Sequence, residues 1–174
     1  FLCDGVGLGK TFVGLMLIER LVKFERKKVL LIVPKSGREP VWESALRTYL
    51  PELFGVFSNL VVINHTDLQR GGEWVERLQR IKDQADVVVV DEAHHFRNPS
   101  TKKDTSRYWQ MQDLAKDKQV FMLTATPINN RLIDLQHLIE HFTQRDAGHF
   151  KETLGIHSLP GYFRKLEKNL AQRM

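Results

Sequence analysis

The chain has 174 residues, a length that suits one domain with a sizeable core. Its hydrophobic fraction of 42% and charged fraction of 27% are those of a soluble globular protein. The net charge of +5 permits a nucleic-acid partner without requiring one. A single cysteine, Cys3, excludes an internal disulfide and a cysteine-rich zinc site. No apolar run approaches membrane-spanning length, so we expect an intracellular protein with no membrane partner.

The first predicted elements are an apolar strand at residues 1–3, a glycine-rich turn and an apolar helix over residues 10–24. A helix start carries free N–H groups and a partial positive charge, so it attracts phosphate. Lys10 adds a positive charge for the β- and γ-phosphates of a nucleotide, and the Thr11 hydroxyl can bind Mg²⁺. The alternative is a glycine-rich turn before an ordinary helix, since the strict phosphate-loop pattern has glycine in place of Asp4. The predicted phosphate-binding residues are Asp4, Gly5, Val6, Gly7, Leu8, Gly9, Lys10 and Thr11.

The next part of the chain alternates between strands and helices. The apolar patterns predict a strand over residues 29–33, an amphipathic helix over 39–49, a strand over 60–64 and a helix over 73–82. His65, Thr66 and Asp67 follow the strand at 60–64 and are expected to form an N-terminal cap.

An uninterrupted valine run predicts a buried parallel strand over residues 86–90. It runs directly into Asp91 and Glu92, and ligands bind at the carboxyl ends of such strands in open α/β sheets. The Asp91 carboxylate could hold Mg²⁺, mostly through water, and Glu92 could polarise an attacking water. The alternative is that both carboxylates cap the next helical turn.

The last strand is predicted over residues 119–123, between helices over 103–116 and 131–142. It is followed by small hydroxylic residues and a proline that stops the ladder. Thr124 and Thr126 could hydrogen-bond the acidic residues and relay their state, or the segment is a simple loop with a threonine cap.

Three features are not interpreted as metal sites or base-stacking sites. His137 and His141 match the inverted zinc-protease pattern, but so short a match arises easily by chance and no third ligand is specified. His94 and His95 are adjacent, point differently and form a poor metal pair. The tryptophans are read as core or surface aromatics rather than base-stacking platforms: Trp42, Trp74 and Trp109.

Strands separated by helices predict an α/β fold with a parallel sheet and right-handed crossovers. Four segments, in this order, resemble the first RecA-like lobe of superfamily-two helicases and translocases, the DEAH-box proteins in the wide sense. They are residues 4–11 (motif I), 30–35 (motif Ia), 91–98 (motif II) and 123–130 (motif III). Within that superfamily the chain is most similar to the Swi/Snf-type branch, which commonly begins motif I with Asp-Glu. That accounts for Asp4 and leaves Gly5 as the departure.

The resemblance implies a RecA-like P-loop NTPase fold, with a central, mostly parallel sheet and helices on both faces. We expect this lobe at residues 1–145, lacking its N-terminal edge. Residues 146–174 would be a helical extension that packs on the lobe or leads to a second RecA-like lobe of the same parent chain. Arginines of that second lobe would stabilise the transition state, so the isolated lobe should hydrolyse ATP poorly.

The resemblance also implies residue roles outside the nucleotide site. Motif Ia and the segment after the strand at residues 60–64 would contact the sugar–phosphate backbone, which positions a protein without reading sequence. The implied nucleic-acid contacts are Lys35, Ser36, Arg38, His65 and Thr66, each with a solvated loop residue as the alternative. His94 would bridge the nucleotide site toward the second lobe, and the coupling set is His94, Thr124 and Thr126.

These expectations describe the ATP-binding motor lobe of an ATP-dependent nucleic-acid translocase, acting on double-stranded DNA more readily than RNA. Lys10, Asp91 and Glu92 would be catalytic, with ATP as cofactor and Thr11 and Asp91 holding Mg²⁺. Three alternatives stay open: an RNA helicase, an ATP-binding switch or scaffold without productive turnover, and the motor part of a nuclease-linked restriction or phage-defence enzyme. A bacterial-type cytoplasmic location is the simplest expectation.

Overall fold

A computed structural model describes residues 1–3, 9–53, 58–101, 106–129 and 131–172. Residues 4–8 of the predicted phosphate-binding segment lie outside the described residues. So do residues 103–105, the start of a predicted helix. None of the described helices is both long enough and apolar enough to span a membrane.

Five parallel strands form one sheet in the order β1-β5-β4-β2-β3. They are β1 (Leu2–Cys3), β2 (Val29–Val33), β3 (Leu60–Asn64), β4 (Val87–Val90) and β5 (Gln119–Thr124). Every residue of β2 and β4 is buried, because adjacent side chains of these central strands point to opposite, covered faces. The predicted α/β fold with a parallel sheet is confirmed, and the strand boundaries agree with the sequence patterns to within one residue.

The helices agree with the predicted positions but differ at their ends. They are α1 (Lys10–Glu19), α2 (Lys35–Gly37), α3 (Ser44–Tyr49), α4 (Glu73–Gln84), α5 (Arg107–Leu114), α6 (Ile133–Thr143), α7 (Lys151–Leu154) and α8 (Leu159–Ala171). α1 continues as a π-helical turn over Arg20–Phe24, and α3 is preceded by another over Arg38–Glu43. Neither α2 nor α7 was predicted as a separate helix.

The predicted cap after β3 differs from the observed one. A 3₁₀ turn occupies His65–Gln69, and Asn64 precedes it. The backbone N–H and the side-chain amide of Asn64 both donate to Asp67 Oδ2, at 2.8 and 3.0 Å. Asp67 therefore reaches back to the start of its own turn, and α4 begins later, after Gly72.

The described chain divides into two compact units. The first comprises Phe1–Ala93 and Asp117–Ala125 and contains the sheet with α1 to α4. The second comprises His94–Lys116 and Thr126–Met174 and contains α5 to α8. The division predicted at residue 145 stays a prediction.

The core of the first unit joins α1 and α3 to one face of the sheet. Its members include Leu15 and Ile18 of α1, Leu31 of β2 and Leu46 of α3. Trp42 is fully buried in the same cluster. These helices are therefore held against the strands whose carboxyl ends carry motifs Ia and II.

Candidate functional site

A cleft of about 460 Å³ opens at the carboxyl ends of β2 and β4 in the first unit. Its described lining is Gly9, Lys10, Thr11, Phe12, Pro34, Ser36, Gly37, Val41, Asp91 and Glu92. The cleft brings Lys10 and Thr11 of motif I together with Asp91 and Glu92 of motif II, which are far apart in the sequence. Open α/β sheets bind ligands at this edge of the sheet.

One wall of the cleft is the start of α1. Gly9 has a φ of 85°, in the left-handed region that glycine adopts readily, and it turns the chain into the helix. Glycine has no side chain to cap the helix, and the N–H groups and partial positive charge of a helix start attract anions. Lys10 and Thr11 follow at once and add a cation and a hydroxyl.

Four hydrogen bonds join Asp91 to other residues that the structure describes. Its N–H donates to the Ile32 carbonyl at 2.9 Å, which continues the pairing of β4 with β2. Its carbonyl accepts from His65 Nε2 at 2.8 Å. Carboxylate Oδ1 accepts from the Glu92 N–H at 2.9 Å, and Oδ2 accepts from Trp42 Nε1 at 2.7 Å. Backbone and side chain are therefore both fixed at the mouth of the cleft.

Glu92 follows with a φ of 48°, an uncommon value for a residue with a side chain. Such strained backbone persists only where the surroundings impose it, and it concentrates at functional sites. Here the Glu92 N–H is tied to the preceding carboxylate. Glu92 is half-buried and lines the same cleft as Lys10.

The residues predicted to hold Mg²⁺ fit that ion chemically. The Thr11 hydroxyl and the Asp91 carboxylate are hard oxygen donors, and both line the cleft. No group of three or more His, Cys, Asp or Glu side chains forms a metal cluster within the described part of the chain. Mg²⁺ does not need one, because it commonly takes one or two protein ligands and completes its shell with water and phosphate oxygens.

The predicted nucleic-acid contacts have different environments. Lys35 and Ser36 are exposed on α2, directly after β2, and Thr66 is exposed on the turn after β3. The Arg38 guanidinium is half-buried and donates from Nε to Glu43 Oε1 at 2.7 Å. His65 is only 3% exposed, so its ring offers little surface to a ligand and reaches Asp91 instead.

The predicted coupling residues are divided between the units. Thr124 ends β5 and is fully buried in the first unit, at the same sheet edge as Asp91. His94 and Thr126 belong to the second unit. In that unit the rings of His94 and His95 lie 4.3 Å apart.

Sequence analysis missed the role of Trp42. Trp42 was interpreted as a core or surface aromatic; it is fully buried, and its bond to Asp91 was not foreseen. A buried indole N–H needs an acceptor, and Trp42 comes shortly after motif Ia. That combination was the available signal. By contrast, Trp109 Nε1 donates to the Ser100 carbonyl at 2.9 Å in the second unit.

One histidine of the α6 pair, His141, lies beside a buried polar network in the second unit. Tyr108 donates to Glu140 Oε2 at 2.5 Å, and Gln136 donates to Glu140 Oε1 at 2.7 Å. His141 is fully buried and donates from Nε2 to the Phe96 carbonyl at 2.9 Å. Burial lowers the pKa of His141 to about 4, against the opposing effects of Phe96 and Glu140.

The same network explains the ionisation of Tyr108. Burial, followed by the hydrogen bond to Glu140, raises the pKa of Tyr108 far above its ordinary value. The phenol therefore remains a donor to Glu140 throughout the physiological range. These contacts support the interpretation of α6 as a packing element.

The parallel sheet, and the helix start facing two carboxylates, define the class of RecA-like nucleotide-binding α/β lobes. The family model described as "Type III restriction enzyme, res subunit" matches residues 5–129. The chain belongs to this family and is a first RecA-like lobe of a superfamily-two helicase or translocase.

Two known proteins extend the comparison. The chain is 32% identical over 161 residues to a Bacillus subtilis (strain 168) protein described as an uncharacterized ATP-dependent helicase, YqhH. The match covers 87% of this chain but only 28% of that protein. The solved structure of a Sulfolobus solfataricus SWI2/SNF2 ATPase core in complex with dsDNA matches with a TM-score of 0.63 and 25% identity. That match covers 87% of this chain and 33% of the solved chain, and it agrees with the branch indicated by the motifs.

Proposed function

We propose that this chain is the ATP-binding motor lobe of an ATP-dependent translocase that moves on double-stranded DNA. The observation that carries the proposal is the cleft in which the start of α1 faces Asp91 and Glu92. A helix start with lysine and threonine suits a phosphate chain, and the two carboxylates suit a cation and a water nucleophile. The family and the helicase relative support the same class of activity.

Four of the residues that line the cleft then have defined roles in ATP hydrolysis. Lys10 would contact the β- and γ-phosphates, and Thr11 and Asp91 would hold Mg²⁺, which would supply neutralising charge to the phosphates. Glu92 orients the attacking water and accepts its proton. Arginines from a second lobe supply the remaining charge stabilisation, about three to five orders of magnitude in rate. The first lobe alone is therefore a weak ATPase.

The variant Glu92→Gln tests whether this cleft turns ATP over. In the natural full-length protein it should keep ATP affinity within about twofold while hydrolysis falls by roughly 10²- to 10⁴-fold, because the general base is lost. Glu76→Gln, the same change on an exposed position of α4, is the control and should leave both unchanged. Equal turnover by Glu92→Gln and wild type would instead indicate an ATP-binding switch or scaffold with incidental activity.

Duplex DNA is proposed because the matching SWI2/SNF2 core was solved with dsDNA. The exposed side chains of Lys35, Ser36 and Thr66 have the chemistry for phosphate oxygens. Binding should be independent of sequence and weaken steeply with salt. Lys35→Ala should reduce the slope of log affinity against log salt by about one unit, whereas Lys151→Ala, on α7, should not change it. If RNA binds more tightly than duplex DNA and stimulates ATP hydrolysis more strongly, the protein is an RNA helicase instead of a DNA translocase.

A second candidate is a motor that serves a nuclease. The description of the matching family, a restriction-enzyme subunit, favours it. The two candidate functions can be distinguished by incubating supercoiled plasmid with the natural full-length protein, ATP and Mg²⁺. Cleavage that needs ATP and is lost in Lys10→Ala would favour the restriction role, and movement without cleavage would favour the translocase.

A further inference from the structure

The carboxylate of Asp91 has a buried partner outside the helicase motifs. Trp42 Nε1 lies 2.7 Å from Asp91 Oδ2, within hydrogen-bond distance, and Trp42 is fully buried. An indole has one N–H and no acceptor, so this bond has a fixed direction. Because the acceptor is a carboxylate, the bond is of the stronger, charge-assisted kind.

Trp42 is itself held in place by α1. A Cβ added to Gly14 would lie 2.5 Å from Trp42 Cη2 and 3.2 Å from Cζ3, so the helix backbone lies directly against the indole. Leu123 of β5 approaches the same point, at 3.1 Å from that Cβ position. The ring therefore has little room to rotate, and its N–H is a rigid donor.

The hydrogen bonds leave room for a cation. An ionised carboxylate has about four lone-pair positions. Among the described residues, Trp42 takes one on Oδ2 and the Glu92 N–H takes one on Oδ1, and these two bonds leave one on each oxygen. The two donors fix the plane of the carboxylate, so the remaining lone pairs have a defined direction in the cleft, which Lys10 and Thr11 also line.

We propose that Trp42 is a positioning residue that orients the Asp91 carboxylate for Mg²⁺-nucleotide binding. It does not touch the nucleotide and acts through Asp91. This inference rests on the proposed function, because it concerns the same cleft. It adds a contact from the core of the lobe to the pair of carboxylates that the motifs identify.

The test compares nucleotide affinity with and without Mg²⁺ in the natural full-length protein. The probe is a non-hydrolysable ATP analogue, measured by calorimetry in Mg²⁺ and in EDTA. Trp42→Phe should weaken binding in Mg²⁺ by roughly ten- to hundredfold, the loss expected for one hydrogen bond to a charged group. Binding in EDTA should change by less than about twofold, because without the cation the orientation of Asp91 matters little.

Two further variants distinguish loss of the hydrogen bond from a change in packing. Replacing Trp42 with β-(benzothienyl)alanine keeps the ring shape and removes only the N–H, and it should reproduce the selective loss even if Trp42→Phe disturbs packing. Trp74→Phe, on α4, is the matched control and should leave both affinities unchanged. Trp74 lies between Arg70 and Arg77, whose guanidinium carbons are each 5.0 Å from its ring, and it does not line the cleft.

The outcomes separate this inference from the proposed function. If wild type gains affinity with Mg²⁺ and the benzothienyl variant keeps that gain, the positioning role is wrong and the ATP site stands. An equal loss in Mg²⁺ and in EDTA would also overturn it, because that pattern indicates a merely structural residue. If wild type binds the analogue in neither condition, the proposed function itself fails.

Discussion

Replacing Gly14 of α1 with alanine should destabilise the protein, although helix propensity favours alanine. Alanine is favoured over glycine inside a helix by about 1 kcal/mol. However, the new Cβ would lie 2.5 Å from Trp42 Cη2, about 1 Å closer than carbon atoms normally approach. Overpacking of this kind costs about 1–3 kcal/mol, and the buried indole cannot swing aside. After the gain in helix propensity is subtracted, we expect Gly14→Ala to lower the free energy of unfolding by up to about 2 kcal/mol.

The assay is urea denaturation of the 174-residue chain followed by circular dichroism. Gly71→Ala is the control, since nothing lies within 4 Å of its added Cβ, and it should change stability by less than about 0.5 kcal/mol. Trp42→Phe removes the ring carbons that Gly14 faces. The double variant should therefore be more stable than the sum of the single changes predicts, by about 1 kcal/mol. A stabilising Gly14→Ala, or an additive double variant, would refute this account of the packing.

Three further predictions concern buried polar groups. Tyr108→Phe should cost about 1–3 kcal/mol in urea denaturation, because it removes a donor to the buried Glu140 carboxylate. The pKa of His141 is about 4 when folded and 6.5 ordinarily, so only the unfolded chain binds this proton between those values. Stability should therefore be constant above pH 6.5 and fall toward pH 4, by at most about 1.4 kcal/mol per pH unit, and His141→Gln should flatten the slope. Finally, His65→Ala should lower ATP hydrolysis more than DNA affinity, because His65 is buried against Asp91. Thr66→Ala, at an exposed position, should lower DNA affinity more than ATP hydrolysis. Fluorescence anisotropy measures DNA affinity, and a phosphate-release assay measures ATP hydrolysis.

Much of the fold could be predicted from local patterns. The valine run of β4 is apolar without alternation, and only a strand covered on both faces is buried at every position. The start of α1 could also be predicted, because glycine, lysine and threonine each contribute a different property to a phosphate-binding helix start. In a parallel sheet, the carboxyl ends of neighbouring strands lie at the same edge. The pairing of β2 with β4 therefore brings together the residues after these strands that line the cleft.

The partners of Asp91 could not be predicted in this way. Trp42 and His65 reach it from two separate connections, after β2 and after β3, and no sequence spacing encodes those distances. His65 shows the limit most clearly. The family resemblance implied that His65 contacts nucleic acid, but its ring is buried and bonds to the Asp91 carbonyl just after β4. The π-helical turns that end α1 and precede α3 also had no local signal.

The most direct test of the central claim is ATP hydrolysis by the natural full-length protein with duplex DNA, single-stranded DNA, RNA or no nucleic acid, with Lys10→Ala as control. The account predicts strong stimulation by duplex DNA that disappears in Lys10→Ala. Hydrolysis that is absent, or indifferent to every nucleic acid, would contradict it and leave a nucleotide-binding switch.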